Sequence, residues 1–334
     1  MLEILSRDPL RRCGSRLFGA VQNRLRAPRV FTLNRECLIM SAVQKYDFAV
    51  AYRVYPRIGR AAVPIFHEDK FLLARVAFRS FVRSIQGFKT KLWILLDTCP
   101  PAYEEFFRAN WPGDPPEFIH YQSRGNGGTF QDQISLLTAQ NEAALCGVAE
   151  DDYFFLPECF QRLHELFHAH PEVDFATPYD HPEYYTAAHQ EMSHEVLADP
   201  RLPIWRTVAS TTCSFMARPQ ALRDCVRPFR SYEKPFLFNR GTDCSMWLAI
   251  TRHRMFNPLR CAQWLKSAKY VSWSWLAAWG LCGKDILTQP KRNLWAPIPS
   301  LAMHLVSTYP PPGIDWNGLL QKAVDEEIAS SPGK

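Results

Sequence analysis

From Tyr46 onward, short continuous apolar runs alternate with stretches of helical spacing. Phe48-Ala49-Val50-Ala51-Tyr52 is uninterrupted and ends in Arg53-Val54-Tyr55-Pro56, the pattern of a buried strand running into a loop. Phe71 to Ile85 then repeats apolar residues (Leu72, Val76, Phe78, Val82, Ile85) at the period of a helix. Leu92 to Leu96 predicts a second buried strand, closed by Asp97 and the Pro100-Pro101 break. Tyr103 to Asn110 predicts a helix, and Glu117 to Tyr121 a third strand. Strand and helix in alternation predict an α/β fold with a parallel sheet covered by helices.

The run Gly125-Asn126-Gly127-Gly128-Thr129-Phe130-Gln131-Asp132 follows. Thr129 with Asp132 three residues later fits a capping box, and Ile134, Leu137, Ala144, Leu145 and Val148 continue an apolar pattern. A helix is therefore expected from Thr129 that leads straight into Glu150-Asp151-Asp152 and the aromatic run Tyr153-Phe154-Phe155. Glycines at a helix start let backbone N–H groups approach an anion closely. Three adjacent carboxylates raise one another's pKa and call for a cation. Hard divalent ions take carboxylate oxygens and share them with substrate phosphates, so a metal and phosphate platform stands against a solvated acidic turn. Asp97, the Gly125 segment and the acidic triplet all fall at the carboxyl ends of expected strands, where ligands of open α/β sheets bind.

Beyond Pro157 a helix is expected to about His170. It contains His164-Glu165-Leu166-Phe167-His168, a formal H-E-x-x-H zinc motif. Pro171 stops the helix within a turn and Phe160, Leu163 and Phe167 offer a packing face, which favours a structural helix. Asp174 to His181 reads as a strand leading into a polar loop, an irregular region extends to Thr207, and Thr207 to Met216 reads as paired strands. Asp243 stands near the start of a helix that runs to Ile250, either as a dipole cap or as a general base. His304 lies in an apolar, proline-flanked segment, and Trp273, Trp275 and Trp295 supply flat faces for a ligand or for the core.

Composition alters this picture in three places. The 334 residues carry a net charge of +6, but seven Arg against Glu3 and Asp8 within residues 1–29 account for most of it. The remaining body is nearly neutral and has no basic footprint for nucleic acid. Residues 1–45 therefore read as a separate basic extension, either an amphipathic helix resting peripherally on an anionic inner membrane face or a helix packed on the body. The ten cysteines are scattered without a C-x-x-C pair, which favours a reducing compartment and a cytoplasmic location. No secretory signal and no run long enough to span a bilayer is legible.

Taken in order, these pieces resemble nucleotide-sugar glycosyltransferases of the GT-A type, in particular family 2-like bacterial enzymes. The resemblance covers roughly residues 46–320. It rests on the first strand, Asp97, Gly125 to Gln133, Glu150-Asp151-Asp152-Tyr153, Thr242-Asp243 and His304. It implies a GT-A, Rossmann-like mixed sheet flanked by helices, with a nucleotide-sugar-binding half at 46–180. An irregular acceptor-binding and catalytic half would follow at 181–334. The acidic triplet resembles the family's D-x-D motif with contiguous acids in place of the spaced pair. That implies Asp152 as a metal ligand, completed by His304, with Glu150 or Asp151 towards ribose and diphosphate. Asp97 would contact the base or ribose, with Arg53 and Asn126 on neighbouring loops. Thr242-Asp243 stands where the family carries Glu-Asp, which implies Asp243 as the catalytic base.

The implied activity is metal-dependent transfer of a sugar from a nucleotide diphosphate to a hydroxyl acceptor, glycan or lipid-linked, with Mn²⁺ or Mg²⁺ and inversion at the anomeric carbon. Rival expectations are a sugar-phosphate nucleotidyltransferase, a zinc hydrolase built on His164 and His168, and a non-catalytic carbohydrate-binding protein.

Overall fold

The structure is a computed structural model. It describes residues 44–57, 63–66, 69–187, 190, 192, 194–199, 203–212, 214–259, 269–306 and 310–330. The basic amphipathic helix expected in the first thirty residues lies outside them.

The strands are β1 (Tyr46–Val54), β2 (Thr90–Asp97), β3 (Glu117–Tyr121), β4 (Ala143–Glu150), β5 (Tyr153–Phe155), β6 (Phe175–Ala176), β7 (Val196–Leu197), β8 (Ile204–Val208), β9 (Phe215–Ala217), β10 (Pro235–Phe236), β11 (Asn239–Arg240), β12 (Leu294–Ile298) and β13 (Ala302–His304). The helices are α1 (Lys70–Ile85), α2 (Pro101–Asn110), α3 (Gly125–Ala139), α4 (Cys159–Ala169), α5 (Glu183–Thr186), α6 (Pro219–Asp224), α7 (Val226–Phe229), α8 (Asp243–Thr251), α9 (Lys269–Thr288) and α10 (Trp316–Ser330).

Nine strands make one sheet in the order β3-β2-β1-β4-β9-β6-β12-β8-β7. The first four are mutually parallel, whereas β9 and β8 run antiparallel to their neighbours, so the sheet is mixed. This is the α/β class the sequence predicts. β1 is buried on both faces. Its Phe48, Val50, Tyr52 and Val54 join Phe78 and Phe81 of α1 and Phe107 of α2. Its Ala49 and Ala51 meet Phe130, Ile134 and Leu137 of α3 on the other side. The uninterrupted apolar run follows from that double burial. β1 lies between β2 and β4, so the crossover direction reverses beside it, and a crevice opens at the carboxyl ends of β1 and β4.

Three expectations differ from the structure. The helix expected from Thr129 begins at Gly125, with Arg124 before it. Thr129 instead lies a full turn inside and donates its hydroxyl to the Gly125 carbonyl at 2.9 Å, while Asp132 pairs with Arg124 at 2.9 Å. That helix ends at Ala139, and Ala144, Leu145 and Val148 belong to β4. A strand buried on both faces gives a continuous apolar run, which periodicity alone does not separate from a helix. Thr207 to Met216 does not form a strand pair with itself: β8 pairs with β12, and β9 lies between β4 and β6.

The β10–β11 hairpin is seated on α9. Its Phe236 ring lies against Gly280, where any Cβ would overlap that ring. Gly280→Ala is accordingly expected to cost about 1–3 kcal/mol by overpacking. Urea unfolding measures this, and an unchanged midpoint would show that the ring is not held there.

Candidate active site

The carboxyl ends of β1, β2 and β4 enclose a cavity of about 400 Å³, lined by Arg53, Asp97, Asn126, Glu150, Asp151 and Asp152, with Lys70, Tyr55, Arg57 and Thr129. Local geometry explains how three adjacent carboxylates share it: each meets a different cation or imidazole. Glu150 is the register partner of Arg53 across the β1–β4 ladder and forms an ion pair with its guanidinium. Arg53 also donates to the Asn126 carbonyl at 2.7 Å, so one side chain ties both strand ends to the start of α3.

Asp151 points inward. Its Oδ2 accepts from Lys70 Nζ at 2.9 Å and from the Tyr55 N–H at 3.2 Å. Burial lifts its carboxyl above the ordinary range, and the Lys70 charge offsets that only in part. Asp152 faces His304, with 3.3 Å between Oδ2 and the imidazole Nε2. Burial alone would raise its pKa. The charge and hydrogen bond of His304, with Lys70 and Arg53 nearby, outweigh that effect and hold it at about 2.

His304 reaches Asp152 through a ribbon that the linear sequence does not announce. β13 pairs antiparallel with β5, setting His304 opposite Tyr153. The Leu305 N–H donates to the Asp152 carbonyl at 2.7 Å, and the imidazole stacks on Tyr153 with ring centroids 4.8 Å apart. One backbone ladder, the hydrogen bond that extends it and one aromatic stack therefore fix both side chains.

Whether this pair suits a hard divalent cation can be judged from Asp152 itself. Its Oδ1 is buried without a hydrogen-bond partner. Such an orphaned acceptor costs about 1–3 kcal/mol unless something satisfies it. A carboxylate and an imidazole are a minimal protein share of a Mg²⁺ or Mn²⁺ site, the remaining positions going to phosphate oxygens and water. Among the described residues no group of three or more His, Cys, Asp or Glu side chains is placed to hold a metal ion. The residues fit a cation delivered with a phosphate ligand, not a closed structural site.

Asp97 and Asn126, expected near the base or ribose, both line the cavity. Asp97 is buried, its Oδ1 accepting from the Arg124 N–H at 3.0 Å and its Oδ2 from the Gly125 N–H at 2.7 Å. Gly125 has φ +74°, a left-handed conformation that suits glycine, and this bend turns the amides onto the carboxylate. Gln133, fully buried in α3, donates to the Ala51 and Ala149 carbonyls at 2.7 and 3.1 Å and so fastens α3 across the β1–β4 gap. Asn126 donates from Nδ2 to the Tyr232 hydroxyl at 2.9 Å.

Asp243 is the first residue of α8, behind a Thr242–Ser245 capping box, and its Oδ1 accepts the Cys244 N–H at 2.7 Å. It does not line the cavity. In α4, His164 packs between Phe48 and Phe88, while Glu165 accepts from Gln161 and Arg162. Trp295 is buried in the core and offers no face to a ligand. Lys70 is the main residue that periodicity does not bring forward. Its readable sign is a lysine in the first turn of a helix, at the positive end of the dipole, where a cation needs an anionic partner.

No protein-family profile and no curated protein sequence matches the chain. Among solved structures it is similar to one described as a nucleotide-diphospho-sugar transferase from Desulfovibrio desulfuricans G20. Identity there is 16% and the TM-score 0.30, over 39% of this chain and 57% of that one. It is also similar to CMP:2-keto-3-deoxy-manno-octonic acid synthetase complexed with CTP (13% identity, TM-score 0.34, 85% of this chain and 99% of that one). A third similar structure is the galactosyltransferase LgtC with donor and acceptor sugar analogs (10% identity, TM-score 0.41, 85% and 97%). The chain thus spans just over half the length of the first of these and nearly all of the other two.

Proposed function

We propose that the protein is a GT-A type glycosyltransferase that moves a sugar from a nucleotide diphosphate to a hydroxyl acceptor with the help of Mn²⁺ or Mg²⁺. The observation that carries this reading is the Asp152–His304 pair. Asp152 lines the cavity at the switch point between β1 and β4 and carries a buried carboxylate oxygen without a hydrogen-bond partner. A bound cation supplies charge neutralisation for the departing diphosphate. Arg53 holds Glu150 and the start of α3 in place, and Lys70 keeps Asp151 from repelling an incoming phosphate. Asp97 and Gly125 fix the loop over the nucleoside.

In the proposed reaction the acceptor oxygen bonds to the anomeric carbon as the bond to the diphosphate oxygen breaks. Asp243 takes the acceptor proton. With a base and no separate nucleophile, the configuration inverts. The acceptor would be a glycan or a lipid-linked sugar.

A panel of nucleoside diphosphates, each with and without Mn²⁺, tests the reading by thermal shift, because a ligand of the folded state raises its stability. At a ligand concentration about 100 times Kd the expected gain is about 2.7 kcal/mol. Absence of a cation-dependent shift for every nucleoside diphosphate would remove the proposal. Asp243→Asn is expected to leave that shift intact and to abolish transfer. Normal transfer by this variant would take the base role from Asp243. Release of pyrophosphate, not of a nucleoside diphosphate, would identify a nucleotidyltransferase instead.

A further inference from the structure

The β10–β11 hairpin carries a surface that the donor cavity does not use. Leu237 and Phe238 at its tip are 76% and 88% exposed. Phe238 nonetheless has a support beneath it. Phe238 lies on Trp273 of α9 with ring centroids 4.7 Å apart, and Phe236 lies 5.5 Å from the same ring. Trp273 in turn donates its indole N–H to the Arg240 carbonyl at 3.2 Å. Leu237 takes a left-handed conformation (φ +53°), unusual for a leucine, which turns the tip. An ordered support thus holds two large apolar side chains out in water.

The surroundings of the tip are cationic. Lys234, Arg230 and Arg240 are all exposed, and the acid paired among them is Glu233, 3.2 Å from Arg240. At the base of the hairpin lies a cleft of about 440 Å³, lined by Arg124, Arg230, Lys234 and Arg240 with the first glycines of α3. An apolar point inside a basic collar complements an apolar layer beneath anionic headgroups. A single protein partner has no need of that vertical order of charge and hydrocarbon.

We propose that this hairpin is an interfacial anchor for an anionic bilayer. Leu237 and Phe238 enter the boundary between headgroups and acyl chains. Arg230, Lys234 and Arg240 meet lipid phosphates, one of which the cleft accommodates. This inference stands apart from the reading of the donor cavity, since vesicle binding requires no turnover.

Flotation of the full chain with vesicles of phosphatidylcholine alone, or mixed with an equal part of phosphatidylglycerol, provides the test. Partition onto the anionic vesicles is expected. It should fall at least tenfold in Leu237→Asp/Phe238→Asp, and at least tenfold in Arg230→Glu/Lys234→Glu. The basic N-terminal residues are a second source of affinity. A chain carrying Arg11→Glu, Arg12→Glu and Arg16→Glu should therefore retain a hairpin-dependent part. Should the hairpin double variant misfold, brominated lipid offers a second readout: it should quench less of the tryptophan emission in Trp273→Phe than in the parent chain. The proposal is overturned if the parent chain ignores anionic vesicles, or if all binding vanishes with the N-terminal arginines. It is also overturned if the exposed tip instead mediates a dimer that the hairpin variant dissolves.

Discussion

Asp152→Ala is expected to weaken Mn²⁺-dependent binding of a nucleoside diphosphate by at least about 100-fold, or about 2.8 kcal/mol. The residue lines the cavity, carries a buried oxygen without a partner and sets its carboxylate beside His304. Without it the imidazole alone faces the diphosphate, too little to hold a hard cation. The fold should survive, because the Arg53–Glu150 and Lys70–Asp151 pairs persist and one repulsive charge has gone. Isothermal titration with and without Mn²⁺ measures the loss, and circular dichroism checks the fold. Binding within a few fold of the parent chain would show that the cation lies elsewhere.

The largest stability effect is expected from Lys70→Met. Lys70 and Asp151 are both buried, with side chains 8% and 6% exposed. Removing one partner of such a pair leaves a desolvated charge without compensation and typically costs about 3–5 kcal/mol. Asp151 would then take up a proton at a higher pH still, since burial already raises its pKa and the lysine that restrains it would be gone. Equilibrium unfolding in urea gives the magnitude. Replacing both residues, Lys70→Met with Asp151→Leu, should recover most of the loss, because no buried charge is left unpaired and only the Tyr55 N–H loses its acceptor. If the double variant is as unstable as the single one, the cost lies in packing and not in charge.

Much of the parallel half was legible because β1, β2 and β4 are buried on both faces and its breaks are chemical. Glu117–Tyr121 is a strand with the bounds the sequence predicts, and Asp97 closes β2 as expected. The acidic triplet stood out because three contiguous carboxylates need partners wherever they fall. Which partner each one takes was not legible. Lys70, Arg53 and His304 come from three distant segments, and spacing along the chain carries no record of that convergence. Ala144 to Val148 misled for a definite reason: a doubly buried strand erases the alternation that would separate it from a helix. Thr129 misled because a hydroxyl three residues ahead of a carboxylate fits a capping box, yet bonds equally well back into the preceding turn. Sequence logic placed Asp243 at the head of its helix, but nothing in that position reveals whether the carboxylate faces a substrate.

The ribbon of β5 and β13 has a consequence for the order in which this protein is made. β5 leaves the ribosome nearly 150 residues before β13. By then the four parallel strands and all three acids can already be in place. Until residues 302–304 arrive, Asp152 lacks its imidazole and β5 lacks its neighbour. Until then the crevice at the carboxyl ends of β1 and β4 lacks the imidazole that faces Asp152 in the finished fold. One short strand pair of high sequence separation thus brings His304 to Asp152, and the loop closure it requires makes it a slow contact to form.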